Sequence, residues 1–263
     1  MKREALSTRP PWAVFSLFFV FFVIMAAGRA DAAVYACGNP GSGHCYGYTS
    51  WSEQPEYFGA YTDITQVAMA CPGNCGGFID DEIWLVDASS AACRANSFHR
   101  CWVEAGYIHR AGHAKQYFWA DARPVAAHPF TLHLLGRTDP NGTINHYMII
   151  KDARGEGGVF QVWIYNTALT TLYHGTSSPN TMTGKQIIIG QELAGTKNAS
   201  AGTARLERNI WAVRPLGADY TFWYRPQTTD SPVTSQNPPS ASWAVRPSHP
   251  PPEGGRLNTH CCS

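Results

Sequence analysis

Two glutamates stand where glutamates are unusual. Glu104 lies in Trp102-Val103-Glu104-Ala105-Gly106-Tyr107, and Glu192 closes Ile187-Ile188-Ile189-Gly190-Gln191-Glu192-Leu193. Both stretches read as β-strands, and Glu is poorly suited to a strand beside Trp or Ile unless that face is wet or functional. Two carboxyls in apolar, small-residue surroundings are what acid–base hydrolysis needs. Desolvation keeps one protonated while the other stays ionised. The ionised Glu would take a proton from a water attacking a carbonyl carbon. The protonated one would hydrogen-bond the carbonyl oxygen and then help protonate the leaving amine. Such a pair needs no metal or cofactor, and works best in acid because like charges in one cleft resist double ionisation. Strand alternation places Trp102, Glu104 and Gly106 on one face, and Ile188, Gly190 and Glu192 on one face of their own strand. Gly190 leaves room for a ligand or a backbone to approach, and Gln191 faces away from Glu192. Each Glu alone also fits a solvent-facing strand residue or the partner of an Arg or Lys. Spacing does not show that the two meet.

Other chemistry is less well supplied. Ten histidines include His109, His113, His128 and His133, at no convincing metal-ligand spacing. There is no Gly-x-Ser-x-Gly elbow for a Ser-His-Asp hydrolase. Asp80-Asp81-Glu82 offers oxygens for calcium, but reads more simply as a solvated acidic turn. Asn141-Gly-Thr143 and Asn198-Ala-Ser200 fit the glycosylation pattern.

The elements that must position the glutamates are short runs rich in β-branched and aromatic residues, broken by turn signals. They are Phe78–Asp87, Trp102–Ile108, Gln116–Ala122, Phe130–Leu135, Asn145–Lys151, Phe160–Tyr165, Gln186–Leu193, Ala204–Ala212 and Tyr220–Tyr224. Asp139-Pro-Asn-Gly142 is a turn in which Pro fixes one dihedral and Asn-Gly supplies positive ones. No window carries a sustained helical stripe. The expected fold is all-β: an antiparallel two-sheet β-sandwich, jelly-roll-like and stabilised by disulfides. Residues 34–77 are turn-rich and aromatic, and read as irregular loops and short strands covering a sheet.

The ends differ from the middle. Lys2, Arg3 and Arg9 precede an apolar run from Trp12 to Ala27 and the small-residue site Ala30-Asp31-Ala32. This is the layout of a signal peptide over 1–32, with export and a secreted, extracellular product as the expectation. The domain then spans 33–225. Residues 226–263, rich in Pro and Ser, are expected to stay disordered. Trp211-Ala-Val-Arg-Pro215 recurs as Trp243-Ala-Val-Arg-Pro247, too short for a repeat architecture. Beyond residue 32 the chain has 16 basic and 17 acidic residues, which gives no electrostatic reason to expect nucleic acid or an anionic membrane as partner. All eight cysteines lie beyond residue 32, and export with an even count favours disulfides over metal. Nearest-neighbour pairing joins Cys37 to Cys45, Cys71 to Cys75 and Cys93 to Cys101. Cys261 and Cys262 are left at the end. Sequence does not fix this connectivity or the oligomeric state.

The segments Glu82-Ile-Trp-Leu-Val86, Val103-Glu104-Ala105-Gly106, Tyr117-Phe-Trp-Ala-Asp121 and Gly190-Gln191-Glu192 together resemble the neprosin family of glutamic peptidases. The resemblance covers roughly residues 78–213. It implies a β-sandwich, Glu104 and Glu192 as the catalytic pair, and a peptide substrate, with Trp102, Tyr117 and Trp119 as candidates to line the cleft. The sequence departs from the family where Gln191 replaces a glycine and where Cys71-Pro-Gly73 precedes the first glutamate. Two rival readings remain open. Exposed aromatic rings and paired strand glutamates also describe a carbohydrate-binding or carbohydrate-cleaving sandwich. A disulfide-stapled domain with a Pro-rich spacer also describes a non-catalytic surface protein.

Overall fold

The computed structural model describes residues 44–70, 77–124, 129–151, 159–177 and 182–194, and beyond them only the strands named below. The described residues are mostly strand. In order these are β1 (His44–Tyr57), β2 (Gly59–Thr65), β3 (Met69–Ala70), β4 (Phe78–Asp87), β5 (Cys101–Arg110), β6 (Gln116–Ala122), β7 (Phe130–Arg137), β8 (Ile144–Lys151) and β9 (Phe160–Tyr165). There follow β10 (Thr171–Thr176), β11 (Gly184–Ala194), β12 (Ser200–Arg205), β13 (Arg208–Leu216), β14 (Tyr220–Tyr224), β15 (Val233–Asn237), β16 (Arg246–Ser248) and β17 (Arg256–Cys261). One helical turn, α1 (Ala91–Arg94), lies between β4 and β5. Among the described residues no helix is long and apolar enough to cross a membrane.

The strands form a seven-stranded sheet in the order β15-β1-β11-β4-β5-β6-β7 and a six-stranded sheet in the order β10-β9-β8-β2-β13-β14. A small sheet of β16-β17-β12-β3 accompanies them. The expected antiparallel sandwich is therefore present. Its two large sheets bury one continuous core. The larger contributes Trp51, Ile83, Leu85, Val103, Tyr107, Ile187 and Ile189; the smaller contributes Ile64, Tyr147, Ile149, Phe160, Val162 and Ile164. Alternation makes this possible, since every second side chain of each inner strand points between the sheets.

The strand boundaries read from sequence hold for Phe78–Asp87, Gln116–Ala122, Phe160–Tyr165 and Tyr220–Tyr224. The turn at Asp139–Gly142 also holds, with Thr143 N–H donating to the Pro140 carbonyl at 3.2 Å, but only Gly142 takes a positive φ (+91°); Asn141 does not. Three readings are corrected. Residues from His44 are not irregular cover: β1 is a 14-residue strand paired on both sides, by β15 and β11. Its Gly and Ser residues hid it, because neighbouring strands rather than intrinsic propensity hold it. The run Ala204–Ala212 is shared between β12 and β13, which belong to different sheets. The Thr-rich β10 is an edge strand whose pattern lacked an apolar signal.

Cys93 and Cys101 are joined, as nearest-neighbour pairing expects. Cys37, Cys71, Cys75 and Cys262, and the side chains of Cys45 and Cys261, lie outside the described residues. So do residues 1–32. Of residues 226–263, the described parts are the strands β15, β16 and β17.

Candidate active site

Register determines which residues gather on the outer face of the seven-stranded sheet. Glu192 lies opposite Asp80 of β4 on one side and Tyr46 of β1 on the other. Two residues along β4, Glu82 lies between Gly190 and Gly106. Two further along, Trp84 lies between Ile188 and Glu104. Asp80, Glu82 and Trp84 therefore form a line up β4, with Glu192 beside one end and Glu104 beside the other. Glu82 sits between the two glutamates. The glycines flanking it are required: a Cβ on Gly106 would stand 2.7 Å from the Cβ of Glu82, and one on Gly190 would stand 2.5 Å from that of Tyr48. Trp84, Val86 and Ile188 form a second apolar cluster on this face, joined by Tyr46, Tyr48 and Trp102.

All four carboxyls are buried. The Trp84 indole N–H donates to Glu104 Oε2. Trp102 also favours the Glu104 carboxylate, although its Nε1 makes no hydrogen bond of ordinary geometry. Burial, followed by the charge of Glu192, nevertheless pushes Glu104 up to about 8. Glu192 pairs through Oε1 with His44 Nδ1, and its own N–H donates to Asp80 Oδ1 at 3.0 Å. The side-chain hydrogen bond to Glu192 holds the His44 imidazole above its ordinary value. Asp80 and Glu82 are both driven well above the ordinary carboxylate range. Burial is the largest cause, and next comes the charge of Glu192 on Asp80 and that of Asp80 on Glu82. The two lie within proton-sharing range, yet neither oxygen of Glu82 meets a partner in ordinary hydrogen-bond geometry. Several like charges in one dry site cannot all persist, so protons must remain on this face near neutrality.

Asp80, Glu82 and Glu192 each offer an oxygen, all within 4.8 Å of one another, and such a set could hold a hard cation. The same crowding is relieved by protons.

The sequence-predicted residues fall on both faces. Glu104, Glu192 and Trp102 share the outer face, with Gly106 and Gly190 as alternation requires. Gln191 faces inward, where its Nε2 donates to Asp81 Oδ1 at 2.7 Å. Tyr117 and Trp119 also lie on the inner side, within the core between the sheets. Tyr117 OH accepts the Asp139 N–H at 3.1 Å, and Trp119 stacks on His133 at 3.9 Å. Sequence reasoning missed Asp80 and Glu82. The acidic triplet read as a solvated turn lies inside β4, with relative exposures of 2%, 0% and 0%. The available signal was its position within the strand-like run Phe78–Asp87. Trp84 lies in the motif Glu82–Val86, which assigned it no role, and His44 carried no signal of its own.

No protein family and no curated protein matches this chain in sequence. Solved structures do match in fold. Scytalido-glutamic peptidase with a peptide-based transition-state analog superposes with a TM-score of 0.50 at 6% identity, covering 84% of this chain and 98% of that one. SCP-B, a member of the eqolisin family of peptidases in complex with the tripeptide Ala-Ile-His, gives 0.50 at 7% identity with the same coverage. A Bacillus licheniformis β-glucanase reaches 0.32 at 8% identity, covering 57% of this chain and 66% of that one, too distant to bear on function. The chain has a glutamic-peptidase-like fold.

Proposed function

We propose that this domain is a glutamic peptidase, neprosin-like in its catalytic pair, which hydrolyses peptide bonds with Glu104 and Glu192. The observation that carries this reading is the placement of both glutamates on one face of one sheet, around a shared group of buried carboxyls, in a glutamic-peptidase-like fold.

The geometry suggests the roles. Glu192, paired with the His44 imidazolium, is the base: it takes a proton from a water, whose oxygen attacks the peptide carbonyl carbon. Glu104 is the acid. Trp84 occupies its Oε2, which leaves Oε1 to carry a proton and to donate it to the oxygen that becomes negative. As the tetrahedral adduct collapses, the C–N bond breaks. The proton held by Glu192 passes to the leaving amine, and Glu104 recovers its own. The acid works only while protonated, so activity falls as pH rises through the Glu104 value of about 8. The Cys93–Cys101 bond suits the export and extracellular location that belong to this proposal.

The test is hydrolysis of peptides and glycans by the domain from about pH 3 to about pH 9, a span that brackets a carboxyl pair with one raised member. Glu104→Gln and Glu192→Gln proteins are assayed in parallel. Peptide cleavage lost in both variants is the expected result. Glycan cleavage lost in both would keep the site and change the substrate. Full activity in either variant overturns the mechanism.

A further inference from the structure

The outer face does not end at Glu104. One residue pair further along, Trp102 lies opposite Ala122 of β6, which lies opposite Phe130 of β7. In the adjacent row Glu104 lies opposite Ala120, and Ala120 opposite Leu132. Alternation therefore puts Trp102, Phe130 and Leu132 on the same face as the catalytic carboxyls. Phe98 completes the group from the loop before β5. Its ring stands 5.2 Å from Trp102 and 6.0 Å from Phe130, and Trp102 and Phe130 are 5.9 Å apart.

Among the described residues four large apolar side chains are exposed: Phe98 (43%), Phe130 (41%), Leu132 (38%) and Leu169. Three of the four meet here. Single exposed apolar residues need no explanation, but a contiguous patch beside a group of buried carboxyls does. The loop that carries Phe98 is also firmly built. The Cys93–Cys101 disulfide closes it. Asn96 ties it from within: its Oδ1 accepts the Phe98 N–H at 2.9 Å, and its Nδ2 donates to the carbonyls of Arg100 at 2.6 Å and Arg123 at 3.1 Å. His99 takes a left-handed φ of 58° immediately after Phe98. Arg100 lies over the Trp102 ring, 5.6 Å from its centre, and places a fixed positive charge on the rim.

We infer that Phe98, Trp102, Phe130 and Leu132 form a substrate subsite for a large apolar side chain, next to the bond that Glu104 acts on, with Arg100 disfavouring Lys or Arg there. The inference rests on the peptidase reading for its ligand. The patch is continuous with the catalytic face, its anchor is an indole that also flanks Glu104, and its rim charge is wrong for a basic residue. A peptide side chain is therefore its occupant.

The test uses peptides identical except for Phe, Leu, Ala or Lys at one position on either side of the scissile bond. The wild-type protein should prefer Phe or Leu over Lys at one position by at least about tenfold in kcat/KM, the size of effect an apolar contact gives. In Phe98→Ser and in Phe130→Ser that ratio should fall about tenfold, mainly through KM, and Phe98→Leu should recover most of it. Peptide cleavage with no apolar preference, or with a preference unchanged in both Ser variants, overturns the subsite and leaves hydrolysis standing. If nothing is cleaved, the same peptides carrying a fluorophore are titrated with the wild-type protein. Tighter binding of the Phe peptide, lost in Phe98→Ser, keeps the subsite and removes the peptidase reading. No binding overturns both. A concentration-dependent dimer broken by Phe98→Ser, with selectivity unchanged, would assign the patch to a second copy and overturn the subsite.

Discussion

The two faces of the seven-stranded sheet each bury acid, and they treat it in opposite ways. On the inner face Asp81 is surrounded by partners. Tyr107 OH is hydrogen-bonded to its Oδ2, Gln191 donates to its Oδ1 at 2.7 Å, and Tyr107 is further tied to Thr65 and to the Val67 N–H. Burial still raises Asp81 to about 7, with Tyr107 and Gln191 opposing the rise. On the outer face Asp80, Glu82, Glu104 and Glu192 crowd one another, and Glu82 has no partner of ordinary geometry for either oxygen. A satisfied buried acid specifies packing; under-satisfied acids cost stability and persist where chemistry uses them. The difference favours the outer group, rather than the inner network, as the candidate site.

The largest effect that would separate the faces is on turnover. Glu104→Gln and Glu192→Gln should each lower kcat/KM for a peptide by about a thousandfold or more, as loss of a positioned acid or base does. Neither should lower the melting temperature. Glu104→Gln should raise it near pH 8, because a neutral amide replaces a carboxyl that burial resists ionising. Unfolding of either variant at pH 5 would place these residues in the structural class instead and break the contrast.

Gly106→Ala tests the backbone that both faces share. The new Cβ would meet the Asp81 carbonyl on one side and Glu82 at 2.7 Å on the other. β4 and β5 would have to separate, at a cost of about 3 kcal/mol. A drop in melting temperature of about 10 °C follows for a domain of this size. Activity should fall with it, because Glu82 and Glu104 lie on the two strands forced apart. An unchanged melting temperature would show that the strands are not in this contact.

Tyr107→Phe belongs to the inner face and should do the reverse of the glutamate substitutions. It leaves an oxygen of Asp81 and the Val67 N–H without their buried partner, which costs about 1–3 kcal/mol. The loss should be larger at pH 8 than at pH 5, since the phenol favours the ionised form of Asp81. The kcat/KM of the folded fraction should stay within about twofold, well short of the effect of losing an acid or base. A large catalytic loss at full stability would mean that the inner network reaches the chemistry through the sheet.

Much of this contrast is legible in the sequence, for one reason: a strand alternates with period two. That rule puts Glu104 with Trp102, puts Glu192 with Gly190, and turns Gln191 away. It does not give register. Whether Tyr117 and Trp119 share a face with Glu104 depends on how β6 pairs with β5, and no local pattern fixes that pairing. Asp80 and Glu82 were hidden for a different reason. Three acids in succession resemble a solvated turn, and only burial by β11 and β5 on either side makes them a site. β1 was hidden because Gly47, Ser50 and Ser52 carry little strand propensity, and its place is set by β11 and β15. The aromatic patch needs three strands and a loop at once, so nothing in the linear order of Phe98, Trp102 and Phe130 announces it.

The last contrast isolates Glu82, the carboxyl whose oxygens meet no partner in ordinary hydrogen-bond geometry. Its folded value, like that of Asp80, is raised well above that of an unfolded chain; Glu104 is raised to about 8 and Asp81 to about 7. A raised carboxyl gives its full contribution to stability below the unfolded value of about 4 and loses it as pH climbs through the folded value. The domain should therefore be most stable near pH 4 and melt at progressively lower temperature toward pH 8, with a slope of about 1.4 kcal/mol per pH unit for each proton retained. Glu82→Gln cannot lose a proton, so its melting curve should decline less steeply over the same range, by about one proton's worth. At pH 5 that difference is a few degrees in its favour, and it widens toward pH 8; at pH 4 the two proteins should melt together. Parallel declines would mean that Glu82 is already ionised in the fold, which would move the retained protons to Asp80 and Glu104 and leave the centre of the outer face charged.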